Sequence, residues 1–190
     1  MSLKTKVKAG NITNLSDARY CAGMGVDWLG FPANAIDPKT FAEITAWVSG
    51  PQFVLEIANH SLLEEYQVEF IQINCKEIAK TSTNSKARLI VTLAFADWDT
   101  SKELIGKNKD RIEFLLITHL AGDNQRDSEI IKSMSDLVDV YIDLDSAPYS
   151  LDDVLTFKIA GINISGNQEL KPGLKDYAEL ADVLEQLEVD

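Results

Sequence analysis

The side chains best suited to move a proton lie where two apolar runs of the sequence end. His119 directly follows the run Phe114 to Thr118, while Asp143 and Asp145 close the run that begins at Val140. Histidine titrates near neutral pH, so His119 is a candidate general base. Strand alternation would place both aspartates on one face, as an acid–base pair or a divalent cation site. If Asp145 already belongs to the next loop, it caps the following helix or lies in solvent.

Strand-like and helix-like patterns alternate along the chain and supply the elements that must position these residues. Eight strands, each followed by a helix or a helical turn, predict an α/β fold, a compact single-domain (β/α)8 TIM barrel over residues 1–190. A flavodoxin-like open sheet is the alternative, but it needs fewer strand–helix pairs. The predicted strands are Lys6–Gly10, Val26–Phe31, Phe53–Ala58, Phe70–Asn74, Arg88–Ala94, Glu113–Thr118, Val140–Leu144 and Ile159–Ser165.

Helix boundaries are predicted from capping residues and apolar periodicity. Asn14 or Ser16 is expected to cap the first helix, and Asp37-Pro38 to begin the second, which runs to Gly50. Ser61 is expected to cap a short third helix. The remaining helical segments are predicted at Lys76–Lys80, Thr100–Lys107, Asp127–Leu137, Leu151–Phe157 and Leu174–Leu187.

In a barrel of this type the reacting groups lie at the C-terminal ends of the strands and in the loops after them. Besides His119 and the two aspartates, this rule selects Gly10, Asn11, Asn34, Asn59, Asn74, Thr92, Thr118, Asn163 and Ser165. Glu56 and Gln72 lie within strands, and inside a barrel they must be hydrogen-bonded to each other or to neighbours. We expect them to form a structural polar network.

The bulk composition excludes several classes of function. A formal net charge of -12 leaves no basic face for nucleic acid or an anionic membrane. Cys21 and Cys75 lack metal or redox spacing, and Cys75 is expected as a buried or half-exposed thiol. No secretory signal or long apolar run is evident, so a cytoplasmic protein is expected. Neither a cofactor nor a metal is expected. Trp28, Trp47 and Trp98 are expected to pack in the core or between barrel and helices, with Trp98 nearest a loop.

Four short segments resemble one enzyme family. The opening VKAGNITNLSDA and the following GVDWLGF are similar to VK-x-C-G-IT-x-x-x-DA and GAD-x-x-GF of phosphoribosylanthranilate isomerases. Phe70 to Glu77 resembles VQLHGDE, with Asn74 at the family's histidine. Lys171 to Asp176 resembles S-PG-x-KD. The resemblance runs along nearly the whole chain and implies a TIM barrel that acts in tryptophan biosynthesis.

The resemblance also implies which residues should carry the chemistry. The family performs an Amadori rearrangement of an N-linked ribose phosphate, which requires a general base and a general acid. Gly10 stands at the family's catalytic cysteine, Asn11 at its following glycine, and Ile117 at its catalytic aspartate. Neither glycine nor isoleucine can exchange a proton. The loop at residues 32–37 lacks the arginine of the family's S-PR-x-V motif.

Substrate contacts implied by the resemblance are reduced to a few polar positions. The turn Ser165-Gly166-Asn167 keeps an anion-binding form, whereas Asp143 and Asp145 stand where the family has a glycine-rich phosphate turn. The expected substrate-binding residues are Asn11, Asn74, Asn163, Ser165, Gly166 and Asn167.

We therefore expect a divergent paralogue that is deficient in the isomerisation. Two roles remain open. In one, the chain is an enzyme for a small phosphorylated metabolite that uses His119, Asp143 or Asp145 as replacements. In the other, it is a non-catalytic barrel for binding or regulation, with its mouth closed by side chains such as Ile117. The expected assembly is a monomer or a homodimer.

Overall fold

Eight parallel strands close into a barrel in chain order. A computed structural model describes residues 2–57, 66–81, 87–165, 169–171, 174–175 and 178–189. The strands are β1 Lys6–Gly10, β2 Trp28–Pro32, β3 Gln52–Glu56, β4 Phe70–Asn74, β5 Arg88–Ala94, β6 Ile112–Thr118, β7 Val140–Asp143 and β8 Gly161–Ser165. The barrel closes where β1 pairs with β8, with Lys8 beside Asn163 and Gly10 beside Ser165. The predicted (β/α)8 fold is confirmed.

The helices of the described residues are α1 Leu15–Gly23, α2 Pro38–Trp47, α3 Trp98–Asn108, α4 Asn124–Ser135, α5 Leu151–Leu155 and α6 Ala178–Leu187. Of the two predicted caps for α1, Asn14 is the one used: its Oδ1 accepts the Asp17 N–H at 3.0 Å. Asp37 caps α2 as predicted. Segment 75–80 is a 3-10 helix. None of the helices described is long and apolar enough to cross a membrane.

Two of the predicted helices are not confirmed in full by the described residues. The final helix was predicted to begin at Leu174, and this is wrong. Leu174–Lys175 instead forms strand β10, which pairs antiparallel with β9 Glu169–Lys171. The helix capped by Ser61, together with Asn59, lies outside the described residues.

Strand alternation divides the core into an outer and an inner cluster. On β1, Val7 and Ala9 join the outer cluster that packs against the helices, whereas Lys8 belongs to the inward face. Trp28 and Trp98 are buried, as predicted. Trp47 is not: it is 69% exposed at the end of α2, where the Arg19 guanidinium lies 5.9 Å from its ring centroid.

The lower half of the barrel interior is filled by an inner apolar cluster. Its buried members are Trp28, Val54, Phe70, Ile90, Phe114, Leu116 and Tyr141. The rings of Phe114 and Tyr141 stack with centroids 3.9 Å apart, and Trp28 meets Phe70 edge-on at 4.9 Å. Trp28 Nε1 donates to Tyr141 Oη at 3.2 Å, and burial raises the pKa of Tyr141. This packed layer fills the interior and forms a floor, so the space inside the barrel that a ligand could enter lies above it, at the C-terminal end of the strands.

Replacing Tyr141 with phenylalanine is expected to lower the free energy of unfolding by about 1 to 2 kcal/mol, because the buried Trp28 N–H loses its acceptor. Urea denaturation of the variant measures this loss. Phe157→Leu, a buried change outside the inner cluster, is the packing control. A Tyr141→Phe variant as stable as the wild type would show that the hydrogen bond contributes nothing.

Candidate functional site

A buried ion pair lies directly above this floor. Lys8 Nζ is 2.6 Å from Glu56 Oε1 and donates to Asn163 Oδ1 at 3.1 Å. Lys8 is only 1% exposed, while the Glu56 side chain is 17% exposed toward the mouth. The contact joins β1, β3 and β8 across the barrel interior. A buried lysine ammonium is stable in this setting because a carboxylate and an amide oxygen accept its hydrogen bonds.

The hydrogen-bonded network continues from Asn163 to the ends of β6 and β7. Asn163 Nδ2 donates to Asp143 Oδ1 at 2.8 Å, and Ser146 Oγ donates to Asp143 Oδ2 at 2.7 Å. The His119 backbone N–H then donates to Ser146 Oγ at 3.2 Å. Both oxygens of Asp143 are thus held by neutral donors. The network keeps these carboxylates in fixed positions but leaves none of them as an unengaged base.

Two glycines make room for the ion pair. A Cβ atom at Gly10 would lie 2.9 Å from Glu56 Oε1 and 3.1 Å from Lys8 Nζ. A Cβ at Gly30 would lie 2.7 Å from the same ammonium. Separations below 3 Å are closer than real Cβ contacts come. The Lys8–Glu56 pair therefore occupies the space that side chains at positions 10 and 30 would need.

Two strand ends at the mouth have left-handed backbone. Asn11 has φ of 63° and His119 has φ of 56°, and they are the non-glycine residues with positive φ among those described. Asn11 donates its backbone N–H to Glu56 Oε2 at 3.1 Å, which offsets part of the strain. Such backbone conformations gather at ligand-binding and active sites. Their placement supports the mouth as the functional end.

The loops after β6 and β7 are tied together behind the mouth. Asp127, fully buried in the first turn of α4, accepts from the Gly122 N–H at 2.9 Å and from Tyr149 Oη at 2.7 Å. Burial and the adjacent Asp127 carboxylate raise the pKa of Tyr149. These bonds fix the two loops that carry His119 and Ser146.

The predicted proton-transfer residues are brought to one end of the barrel but not into contact. Asp143 joins the network, whereas Asp145 lies exposed in the 3-10 turn Leu144–Ser146 and does not cap the next helix, whose cap is Ser150. No hydrogen bond joins the two aspartates in the described part of the chain. Asp145 Oδ2 instead accepts the Ser165 backbone N–H at 3.1 Å. His119 presents an exposed side chain.

The predicted binding residues also lie in different environments. Asn163 is buried within the network. The backbone N–H of Ser165 already donates a hydrogen bond to Asp145, and that of Asn11 donates one to Glu56. Asn74 Oδ1 accepts the Lys76 N–H at 3.0 Å and so caps the 3-10 helix. Gly166 and Asn167 lie outside the described residues.

Ile117 does not close the mouth, and that interpretation is wrong. Its side chain belongs to the outer cluster between barrel and helices, because Leu116 is the β6 residue that joins the inner cluster. Alternation then makes Thr118, which is half-buried, the inward residue at the end of β6.

Sequence reasoning missed Lys8 and Ser146. A lysine between Val7 and Ala9 in an otherwise apolar strand was the available signal for an inward charge. Glu56 is hydrogen-bonded as expected, but the buried Gln72 Oε1 has no hydrogen-bond partner among the residues that the structure describes. Burial raises the pKa of the Cys75 thiol, in agreement with an inert cysteine. Within the described residues no three His, Cys, Asp or Glu side chains are grouped to hold a metal ion.

Solved structures with the same architecture cover almost the whole chain. Phosphoribosyl anthranilate isomerase from Thermus thermophilus matches with a TM-score of 0.67 and 17% identity, covering 96% of this chain and 98% of that one. Phosphoribosylanthranilate isomerase from Thermotoga maritima matches at 0.63 and 16%, covering 96% of both. These likenesses establish the fold.

The same architecture is found among other enzymes. Orotidine 5'-monophosphate decarboxylase from Methanocaldococcus jannaschii gives a TM-score of 0.60 at 10% identity, covering 99% of this chain and all of that one. Comparisons with protein-family models and with curated proteins give no match. The function must therefore be argued from the residues of the site.

Proposed function

We propose that this chain is a divergent phosphoribosylanthranilate isomerase-like barrel that has lost the Amadori isomerisation. One observation carries the proposal: the space of a side chain at position 10, the family's catalytic cysteine, is filled by Glu56 and Lys8. Gly10 is thus adapted to the ion pair. A side chain at position 10 would require the ends of Glu56 and Lys8 to shift from their paired positions.

The general acid is missing as well. Ile117, at the family's aspartate, packs outside the barrel, and Thr118 is the inward neighbour. A threonine hydroxyl does not donate a proton at neutral pH as a carboxylic acid does. Loss of each acid–base group typically lowers the rate about 10²- to 10⁴-fold.

The remaining polar groups favour a binding role over catalysis. Glu56 uses both oxygens on Lys8 and the Asn11 N–H, and Asp143 uses both on Asn163 and Ser146. Because these carboxylates are hydrogen-bonded within the chain, the site is suited to hold a ligand against a fixed surface and not to remove a proton from it. We infer a cytoplasmic, non-catalytic or regulatory barrel that acts as a monomer or homodimer and holds a small molecule at its mouth.

The experiment is a direct assay of the purified protein with phosphoribosylanthranilate, with the Thermus thermophilus isomerase as positive control. We expect kcat/KM to be lower than the control by about 10⁴-fold or more, since two proton-transfer groups are absent. Expression in a tryptophan auxotroph that lacks the isomerase is expected to give no growth. Growth restored by this chain would overturn the proposal.

A further inference from the structure

Two backbone N–H groups at neighbouring strand ends are held by carboxylates of the chain itself. Ser165, at the end of β8, donates to Asp145 Oδ2 at 3.1 Å. Asn11, just after β1, donates to Glu56 Oε2 at 3.1 Å. Gly10 and Ser165 are register partners, so these two donors lie side by side at the barrel mouth.

Backbone N–H groups after the last strands of a TIM barrel commonly bind phosphate. A carboxylate oxygen accepts the same hydrogen bond as a phosphate oxygen. We propose that Asp145 is an internal ligand that fills an anion-binding position at the Ser165 N–H and so excludes external phosphate. This inference deepens the proposed function, on which it rests, because it names the ligand class that the mouth rejects.

The charges around the position support exclusion. Within the described residues, Asp143 and Asp145 accept hydrogen bonds from neutral donors and form no ion pair. The nearby ammonium of Lys8 is buried and already paired with Glu56. An incoming phosphate therefore meets like charge with no accessible cation within the network.

Asp145 is the carboxylate that can be removed without dismantling the site. Asp145 is exposed in the turn after β7, and among the described residues its one hydrogen-bond partner is the Ser165 N–H. Glu56, by contrast, also holds the buried Lys8. Substitution at position 145 should free one N–H donor and leave the interior network intact.

The test compares the wild type with Asp145→Ala, Asp145→Asn and the charge control Asp152→Ala, an exposed residue of α5. Inorganic phosphate is titrated at fixed ionic strength, and the Ser165 amide is followed by NMR alongside calorimetry. We expect Asp145→Ala to bind phosphate about tenfold more tightly than the wild type, or better, with a shift of the Ser165 amide. Asp152→Ala should behave as the wild type.

Asp145→Asn keeps an oxygen for the Ser165 N–H but loses the charge, so it is expected to gain less than Asp145→Ala. Equal phosphate affinity in the wild type and Asp145→Ala would overturn the inference, as would an equal gain in Asp152→Ala or in Asp145→Asn. These outcomes are separate from the isomerase assay: activity of the wild type would refute the proposed function whatever the phosphate titration shows. Thermal unfolding of each variant verifies that it is folded.

Discussion

Replacing Glu56 with alanine is expected to lower the free energy of unfolding by about 3 to 5 kcal/mol, because the variant leaves a buried ammonium without its counter-ion. Lys8 is 1% exposed, and Glu56 is its carboxylate partner at 2.6 Å. Asn163 Oδ1 would remain as a neutral acceptor, which cannot replace a charge. Denaturant unfolding followed by circular dichroism measures the loss.

The matched control removes both charges together. Exchanging a buried ion pair for apolar residues of similar volume is often neutral. The double variant Lys8→Met, Glu56→Leu should therefore recover most of the stability that Glu56→Ala loses. Asp99→Ala and Glu103→Ala, on the exposed face of α3, report the effect of removing a surface ion-pair partner and should each change stability by less than about 1 kcal/mol. A Glu56→Ala variant within about 0.5 kcal/mol of the wild type would contradict the role given to the pair.

The strands were predictable because each is a short apolar run bounded by polar or turn residues. The bounds of β1, β4 and β5 agree with the sequence prediction, since Lys6–Gly10, Phe70–Asn74 and Arg88–Ala94 are clearly delimited. The start of α6 could not be predicted in this way, because Leu174 fits the apolar spacing of the helix and can equally pair as a strand residue. Only the partner segment β9 decides between them.

The sequence predicted that Asp143 and Asn163 lie at the same end of the barrel, but it did not predict the contacts between the polar residues there. The rule of C-terminal strand ends correctly brought Asp143 and Asn163 to one region. The pairing of Lys8 with Glu56 depends on how β1, β3 and β8 meet across a closed barrel, which no local pattern records. The prediction for Ile117 depended on whether the even-numbered or the odd-numbered residues of β6 face the barrel interior. A shift of one residue in that assignment turns every side chain of the strand to the opposite face.

A cysteine at position 10, where the proposed relationship to the isomerases would place one, tests how closely Gly10 is tied to the ion pair. Gly10→Cys is expected to destabilise the protein by about 2 to 3 kcal/mol, because the new Cβ lies 2.9 Å from Glu56 Oε1 and 3.1 Å from Lys8 Nζ. We also expect no isomerase activity, because Ile117, which lies in the outer cluster at the position proposed for the general acid, still cannot donate a proton. Thermal unfolding and the isomerase assay measure the two effects.

A double-mutant cycle decides whether the clash is with Glu56 itself. In a Lys8→Met, Glu56→Leu background the oxygen and the ammonium are gone, but the apolar side chains still fill the space, so part of the penalty should remain. In Glu56→Gly the contact below 3 Å is gone and the Lys8 ammonium remains 3.1 Å from the new Cβ, so the added cost of Gly10→Cys should fall below about 1 kcal/mol. Gly23→Cys, where a Cβ meets no atom within 4 Å, controls for the introduced thiol. If Gly10→Cys cost the same with and without Glu56, the penalty would arise from the backbone and not from the ion pair, and the observation on which the proposed loss of the base rests would fail.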